Sequence, residues 1–266
     1  MNPDDFRASI VITSYNKREY LIEAVESVMS QTLRPHEIII ADDGSSDGSE
    51  ATIRSYEARF PGWIRAVVHR RNVGIPRNRN AALRRVTGNY VGILDGDDLF
   101  VPEKLELQFE ALRRHAGARA VYGNFLRVTA DKATTLGARY TSPQAEGEVL
   151  AQVARLEYGI CRTLIVEYEA IRAAGFMDER YTKFDGLWLT IKLAAFCRFA
   201  YVHRPLVLKR EYPDSDSRRN TRQDLLHDLS GIYEDMQPLL SSLDDRMRQA
   251  INACWQTTLD RYSSSS

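Results

Sequence analysis

The sequence predicts an α/β fold: a doubly wound, mainly parallel sheet flanked by helices, with a helical extension at the C-terminal end. Two observations carry this. Four short apolar runs alternate with helical patterns over the first 115 residues, the order that builds parallel sheets from βαβ units. Three of those runs are followed at once by a polar cluster, as expected where ligands bind beyond the carboxyl ends of parallel strands.

In chain order, Ser9-Ile10-Val11-Ile12 reads as a buried strand, being apolar, β-branched and too short for a helix. Tyr20-Leu21, Ala24-Val25 and Val28-Met29 then recur at helical spacing to about Gln31. Glu37-Ile38-Ile39-Ile40-Ala41 is the second strand, a helix follows over Ser49 to Phe60, and Arg65-Ala66-Val67-Val68 is the third strand. Pro76 opens a helix to about Val86, because a first-turn proline forfeits no helical hydrogen bond. Tyr90 to Leu94 is the fourth strand, and a helix from Pro102 to His115 precedes an extended stretch from Ala120 to Val128. Asp131 to Gly147 reads as a polar connector, and helix, short strand and helix patterns return between Leu150 and Leu208. Tyr212 to Thr221 reads as a mobile loop. Two helices close the chain, Gln223 to Asp235 and Asp244 to Tyr262; Met247, Ile251, Cys254, Trp255, Thr258 and Tyr262 share a face of the second, which is expected to pack on the domain.

Composition narrows the function. Lys+Arg and Asp+Glu both total 36, so nothing draws the chain in bulk to nucleic acid, and local clusters must carry any charge argument. Cys161, Cys197 and Cys254 are widely spaced and set among apolar neighbours, which suggests reduced thiols. The start Met1-Asn2-Pro3-Asp4-Asp5 lacks the features of a secretory signal, and no stretch of ~20 apolar residues occurs. A cytoplasmic protein is expected, with peripheral association at the inner face of the membrane left open, and the terminal Ser263 to Ser266 run is expected to be disordered.

Asp95-Gly96-Asp97-Asp98 places three carboxylates directly after the fourth strand. Like charges ~4 Å apart cost roughly 4 kcal/mol near a protein surface, and a divalent cation with substrate phosphates relieves that. The bland alternative is a set of caps for the helix near Pro102. Arg70, Arg71, Arg77 and Arg79 surround Asn72-Val73-Gly74-Ile75-Pro76, and the last two of them sit in a first helical turn, where cations oppose the helix dipole. A bound phosphate would compensate them. Acidic and basic clusters in one cleft suit a metal-bound diphosphate. Asp42-Asp43 end the second strand, where a carboxylate can accept an imide N–H such as that of uracil, and Tyr15 is placed to stack on a base. A dinucleotide-dependent oxidoreductase is disfavoured, because Thr13-Ser14-Tyr15-Asn16-Lys17 contains no glycine.

Four stretches in order, Ser9 to Asn16, Ile40 to Asp47, Asn72-Val73-Gly74 with Arg79-Asn80, and Gly92 to Asp98, closely resemble glycosyltransferase family 2, the inverting enzymes of GT-A fold. The resemblance covers residues 8–104 well and weakens afterwards. It implies a glycosyltransferase domain over residues 1–210, with a nucleotide-sugar half at about 8–104 and an acceptor and catalytic-base half at about 105–210, followed by the loop and C-terminal helices of 211–266. By that likeness Thr13, Tyr15 and Asp43 hold the nucleoside, Arg79 with Arg77 the diphosphate, and Asp95 the ribose and metal. Asp97 is the principal ligand of Mn²⁺ or Mg²⁺, and Asp98 fills an additional acidic position. The family's late carboxylate maps to Asp185, the catalytic base, with Phe184 in place of the usual preceding acid and Asp178 or Glu179 as fallbacks; a plain N-cap is the competing role for Asp185. Tyr212 stands where a histidine often faces the metal or diphosphate.

The expected reaction is metal-dependent, inverting transfer of a sugar from a nucleoside diphosphate donor, UDP-sugar by preference, to the hydroxyl of a glycan, lipid-linked glycan or other acceptor in polysaccharide synthesis. The Asp131 to Gly147 connector and the C-terminal helices are expected to shape the acceptor site. A sugar nucleotidyltransferase and a catalytically silent nucleotide-sugar binding protein are the competing readings.

Overall fold

The computed structural model describes residues 5–157, 160–213 and 221–263, with nine strands and nine α-helices among them. The order is β1 (Ala8–Ser14), α1 (Arg18–Met29), β2 (Glu37–Asp42), α2 (Ser49–Arg59), β3 (Ile64–Val68), α3 (Ile75–Leu83), β4 (Tyr90–Asp95), β5 (Leu99–Phe100) and α4 (Lys104–Arg114). Then come β6 (Ala118–Thr129), β7 (Thr135–Ala138), α5 (Leu150–Ala154), β8 (Ile165–Glu167), α6 (Tyr168–Ala173), α7 (Asp185–Ala194), β9 (Arg198–Glu211), α8 (Arg222–Met236) and α9 (Asp245–Ser263). The expectations for Met1 to Asp4, for 214–220 within the loop ending at Thr221, and for Ser264 to Ser266 lie outside the described residues. Ser263 itself closes α9.

One curled sheet runs β3-β2-β1-β4-β8-β6-β9-β5, with β7 on β6. Its first four strands are all parallel, and β1 lies between β2 and β4. The rest is mixed: β8 pairs antiparallel with β4 and β6, β9 parallel with β6, and β5 and β7 antiparallel with β9 and β6. The apolar runs are explained by burial on both faces. Ile10, Ile12, Ile38 and Ile40 pack with Leu21 and Val25 of α1 and Ile53 of α2, whereas Val11 and Ile39 face the other way toward Ala82 and Leu83 of α3. The strands were legible because each presents β-branched residues to two cores at period two.

Two short strands escaped sequence patterning: β5 is two residues long, and β7 lies inside the stretch read as a polar connector, at the sheet edge. β8, three residues between α5 and α6, is the short strand expected between Leu150 and Leu208. The C-terminal face behaves as expected at its centre, where Ile251 and Trp255 are buried and the Trp255 indole N–H donates to the Ala154 carbonyl. Met247, at one end of that face, is 45% exposed. α8 and α9 share a core with α5 and α7. Among the described residues no helix is long and apolar enough to cross a membrane.

Glu37 locks the non-functional end of the parallel strands. Its buried carboxylate accepts the Ser9 hydroxyl at 2.7 Å, the Thr87 N–H at 2.6 Å and hydroxyl at 2.9 Å, and pairs with Arg65 at 2.7 Å. Burial pushes its pKa up, but these donors outweigh burial and hold it below the ordinary 4.5. The stabilisation is therefore present above pH 4.5 and lost as pH falls through the lower folded value. Glu37→Gln is expected to cost ~1–3 kcal/mol at neutral pH and to flatten the acid limb of stability, as read from unfolding midpoints between about pH 3 and 7.

Candidate active site

The parallel register delivers the polar clusters to one edge. Thr13 is the partner of Asp95, and Ser14 of Asp42, so the segments after β1, β2 and β4 emerge side by side. Gly96 crosses over the end of β1, its N–H bonded to the Thr13 carbonyl at 2.7 Å. A Cβ there would lie 2.7 Å from the same oxygen, so the crossing requires glycine. The result is a cleft of about 720 Å³ whose lining includes Thr13, Tyr15, Asp43, Arg79, Asp95, Asp97, Asp98 and Asp185.

The acidic cluster is compensated by cations of the chain itself. Asp95 accepts Arg79 at 2.6 Å on one oxygen and Arg162 at 2.9 Å on the other. Burial alone would push its pKa up; the two guanidiniums hold it far below the usual carboxylate range. Asp98 pairs with Arg162 and accepts the Arg210 N–H at 3.0 Å. Burial, with Asp97 and Asp95 nearby, pushes its pKa up to about 7 against the pull of Arg162. Asp97 receives the Lys17 ammonium at 2.6 Å and the Tyr212 hydroxyl at 2.5 Å, both on Oδ2. The buried Arg210 side chain donates to the Asp97 carbonyl at 2.7 Å and reaches Glu23 at 2.6 Å. None of the three aspartates caps α4, whose N-cap is Glu103.

This arrangement tests the fit of a divalent cation. No group of three His, Cys, Asp or Glu side chains is arranged to hold one among the described residues. Both Asp95 oxygens are committed to arginines, so its expected role as a ligand is not supported by geometry, whereas Asp97 Oδ1 accepts no hydrogen bond from the described residues. A cation held by one carboxylate with substrate phosphates filling its shell fits this donor set. Tyr212 reaches that same carboxylate through its hydroxyl, in the place expected of a histidine.

The basic cluster does not act as a unit. Ile75, Asn78 and Arg79 face the cleft at helical spacing, whereas Arg77 points away and pairs with Glu179 at 3.1 Å. Arg70 and Arg71 are exposed and outside the lining. The free N–H groups leading into α3 are met by Asp43, whose oxygens accept Val73 N–H at 2.7 Å and Gly74 N–H at 3.0 Å. The chain's own carboxylate thus takes the place proposed for an anion there. Asp43 also lines the cleft, as does Tyr15, which is 41% exposed. Five buried side-chain polar atoms lack a partner among the described residues, and three of them, Ser14 Oγ, Asn78 Oδ1 and Arg79 Nε, belong to cleft residues. Buried polar groups without a partner are costly, and three of the five lie in side chains that line the cleft.

Asp185 is the first residue of α7, after the N-cap Phe184, and makes no capping bond. Its Oδ2 instead accepts the second amino group of Arg79 at 2.7 Å, so one guanidinium spans Asp95 and Asp185. The loop before it is held by α8: Asp228 accepts the N–H groups of Lys183 and Phe184 at 2.6 and 3.2 Å. That is the contribution of the C-terminal helices, which do not line the cleft themselves; from the expected acceptor segment, Ala138 and Arg139 do. The fallback acids are elsewhere, Asp178 paired with Arg180 at 2.7 Å and Glu179 with Arg77. Sequence reasoning missed Lys17, Arg162 and Arg210 as partners of the acidic cluster. Lys17 directly follows the first motif and could have been found; Arg162 lies in a segment without periodicity.

Comparison with known proteins identifies the family and the fold. The family model described as "Glycosyl transferase family 2" matches residues 9–158. The chain is 28% identical to the putative glycosyltransferase EpsE of Bacillus subtilis over 80% of its own length and 76% of that protein's. It is 39% identical to the putative teichuronic acid biosynthesis glycosyltransferase TuaG of the same species over 43% of this chain, and spans 45% of TuaG. Among solved structures, S. aureus TarS 1–349 in complex with UDP superposes with a TM-score of 0.74 over 97% of this chain and 72% of that one, at 16% identity, which establishes a shared GT-A fold.

Proposed function

The chain belongs to glycosyltransferase family 2, and from that premise we propose that it transfers a sugar, with inversion, from a nucleoside diphosphate donor to an acceptor hydroxyl in glycan or polysaccharide synthesis. The observation that carries the reading is the Arg79 bridge. It holds Asp185 one guanidinium away from Asp95, so a base for the acceptor and the acidic donor end share a single cleft. Asp185 Oδ2 is occupied by Arg79, while Oδ1 accepts no hydrogen bond from the described residues; it is the oxygen that takes the acceptor proton.

UDP is the preferred donor carrier. Asp43 retains a lone pair on each oxygen for an imide N–H, which uracil has and cytosine lacks, and Tyr15 is exposed enough to stack on the base. Lys17 brings positive charge to the diphosphate, where negative charge develops as the sugar departs. Mn²⁺ or Mg²⁺ bound at Asp97 would add electrophilic stabilisation to that leaving group.

Thermal shift against UDP, GDP, CDP and dTDP, each with and without Mn²⁺, tests the donor. UDP with Mn²⁺ is expected to give the largest rise in midpoint, since a ligand selective for the native state stabilises it. No shift with any of the four would overturn the reading.

A further inference from the structure

The cleft is neutralised at one end only. Around the donor site the cations Lys17, Arg79 and Arg162 each contact a carboxylate. The opposite wall is built from β6, β7 and β9, beyond β8 from β4, and its charges are unbalanced. Arg127 and Lys209 are partners across the parallel β6 and β9 and share a single acid, Glu211, at 3.9 and 3.3 Å. Arg139, just past β7, makes no ion pair among the described residues. These three cations line the cleft, whereas Arg210, also on β9, is matched by Glu23. In a chain with 36 positive and 36 negative side chains, three cations against one acid is a local excess among the described residues that attracts anions.

We propose that the acceptor is an anionic polymer, bearing carboxylate or phosphodiester groups beside the hydroxyl that receives the sugar. The proposal rests on the transferase reading above and adds the acceptor's chemical class. The wall orients the chain of the acceptor through its charges and leaves the hydroxyl facing Asp185. Two donors of that charge, uronate carboxylates and backbone phosphates, share this chemistry.

The test uses calorimetric binding to the protein saturated with UDP. The probes are an oligogalacturonate, its methyl ester of equal length, and a glycerol phosphate oligomer. At least one acidic probe is expected to bind about tenfold more tightly than the neutral ester, the combined effect of several exposed ion pairs. Which of the two binds identifies the anion. In Arg127→Gln/Arg139→Gln/Lys209→Gln the advantage is expected to shrink to about twofold or less, with Arg139→Gln alone giving an intermediate value should the triple variant unfold. Binding of both acidic probes no tighter than that of the ester overturns the proposal, as does a triple variant whose main loss is in UDP affinity, since the wall would then serve the donor. UDP binding by the unaltered protein is measured first, so failure of the transferase reading is seen separately.

Discussion

Asp185→Asn lowers the turnover of sugar transfer by about 10²–10⁴-fold, the range for loss of a general base, with UDP affinity changed by no more than about twofold. The substitution is isosteric, and the amide oxygen can still accept the Arg79 N–H that the carboxylate now accepts at 2.7 Å. The loop stays anchored because Asp228 holds the Lys183 and Phe184 N–H groups independently of residue 185. What disappears is the capacity to take a proton. A combined measurement of kcat by product formation and of UDP affinity by calorimetry separates this outcome from a folding defect. Retention of full turnover would remove Asp185 from the mechanism. No fallback among the described residues would inherit the role, because Asp178 and Glu179 are bound to arginines outside the cleft lining.

The parallel half was readable because its physics is local and periodic. Strands such as Ile38-Ile39-Ile40 are buried on both faces and so carry no polar interruptions, and each ends in a polar cluster whose convergence follows from parallel register. The second half was less readable. β8 spans only Ile165–Glu167 yet joins the two halves of the sheet, and three residues hold no period. In the site, acids that share a motif were recognised, but their partners were not. Arg162 meets Asp95 across 67 positions and Arg210 meets Asp98 across 112, and nothing local announces such contacts. The inference that clustered acids demand a metal was incomplete for the same reason, since Lys17, Arg79 and Arg162 compensate them from a distance in sequence. Arg77 illustrates the converse: adjacency to Asn78 and Arg79 suggested a shared role, but a helix turns successive residues by about a third of a circle and sends Arg77 to Glu179.

Arg79→Met is expected to destabilise the fold by ~3–5 kcal/mol, the cost of stranding buried charges, which for a chain of this size lowers the melting midpoint by on the order of 10 °C. Arg79 is only 12% exposed, and its partners Asp185 and Asp95 are 7% and 29% exposed. Asp95 keeps Arg162 when Arg79 is removed, but Asp185 has no other cation within ion-pair distance among the described residues. Its carboxylate is then left buried without compensation. Arg79→Lys preserves the charge but not the fork, and one ammonium cannot reach both carboxylates in the same way; it should recover part of the stability while turnover remains low. The decisive comparison is Arg79→Met/Asp185→Leu. If the bridge is the source of the loss, removing both partners restores a large share of what the single Met variant forfeits, and the cycle gives a coupling well above ~0.5 kcal/mol. A coupling below that value would mean that the two side chains are neighbours without an energetic link, and that Arg79 is free to serve the donor diphosphate instead of holding the base.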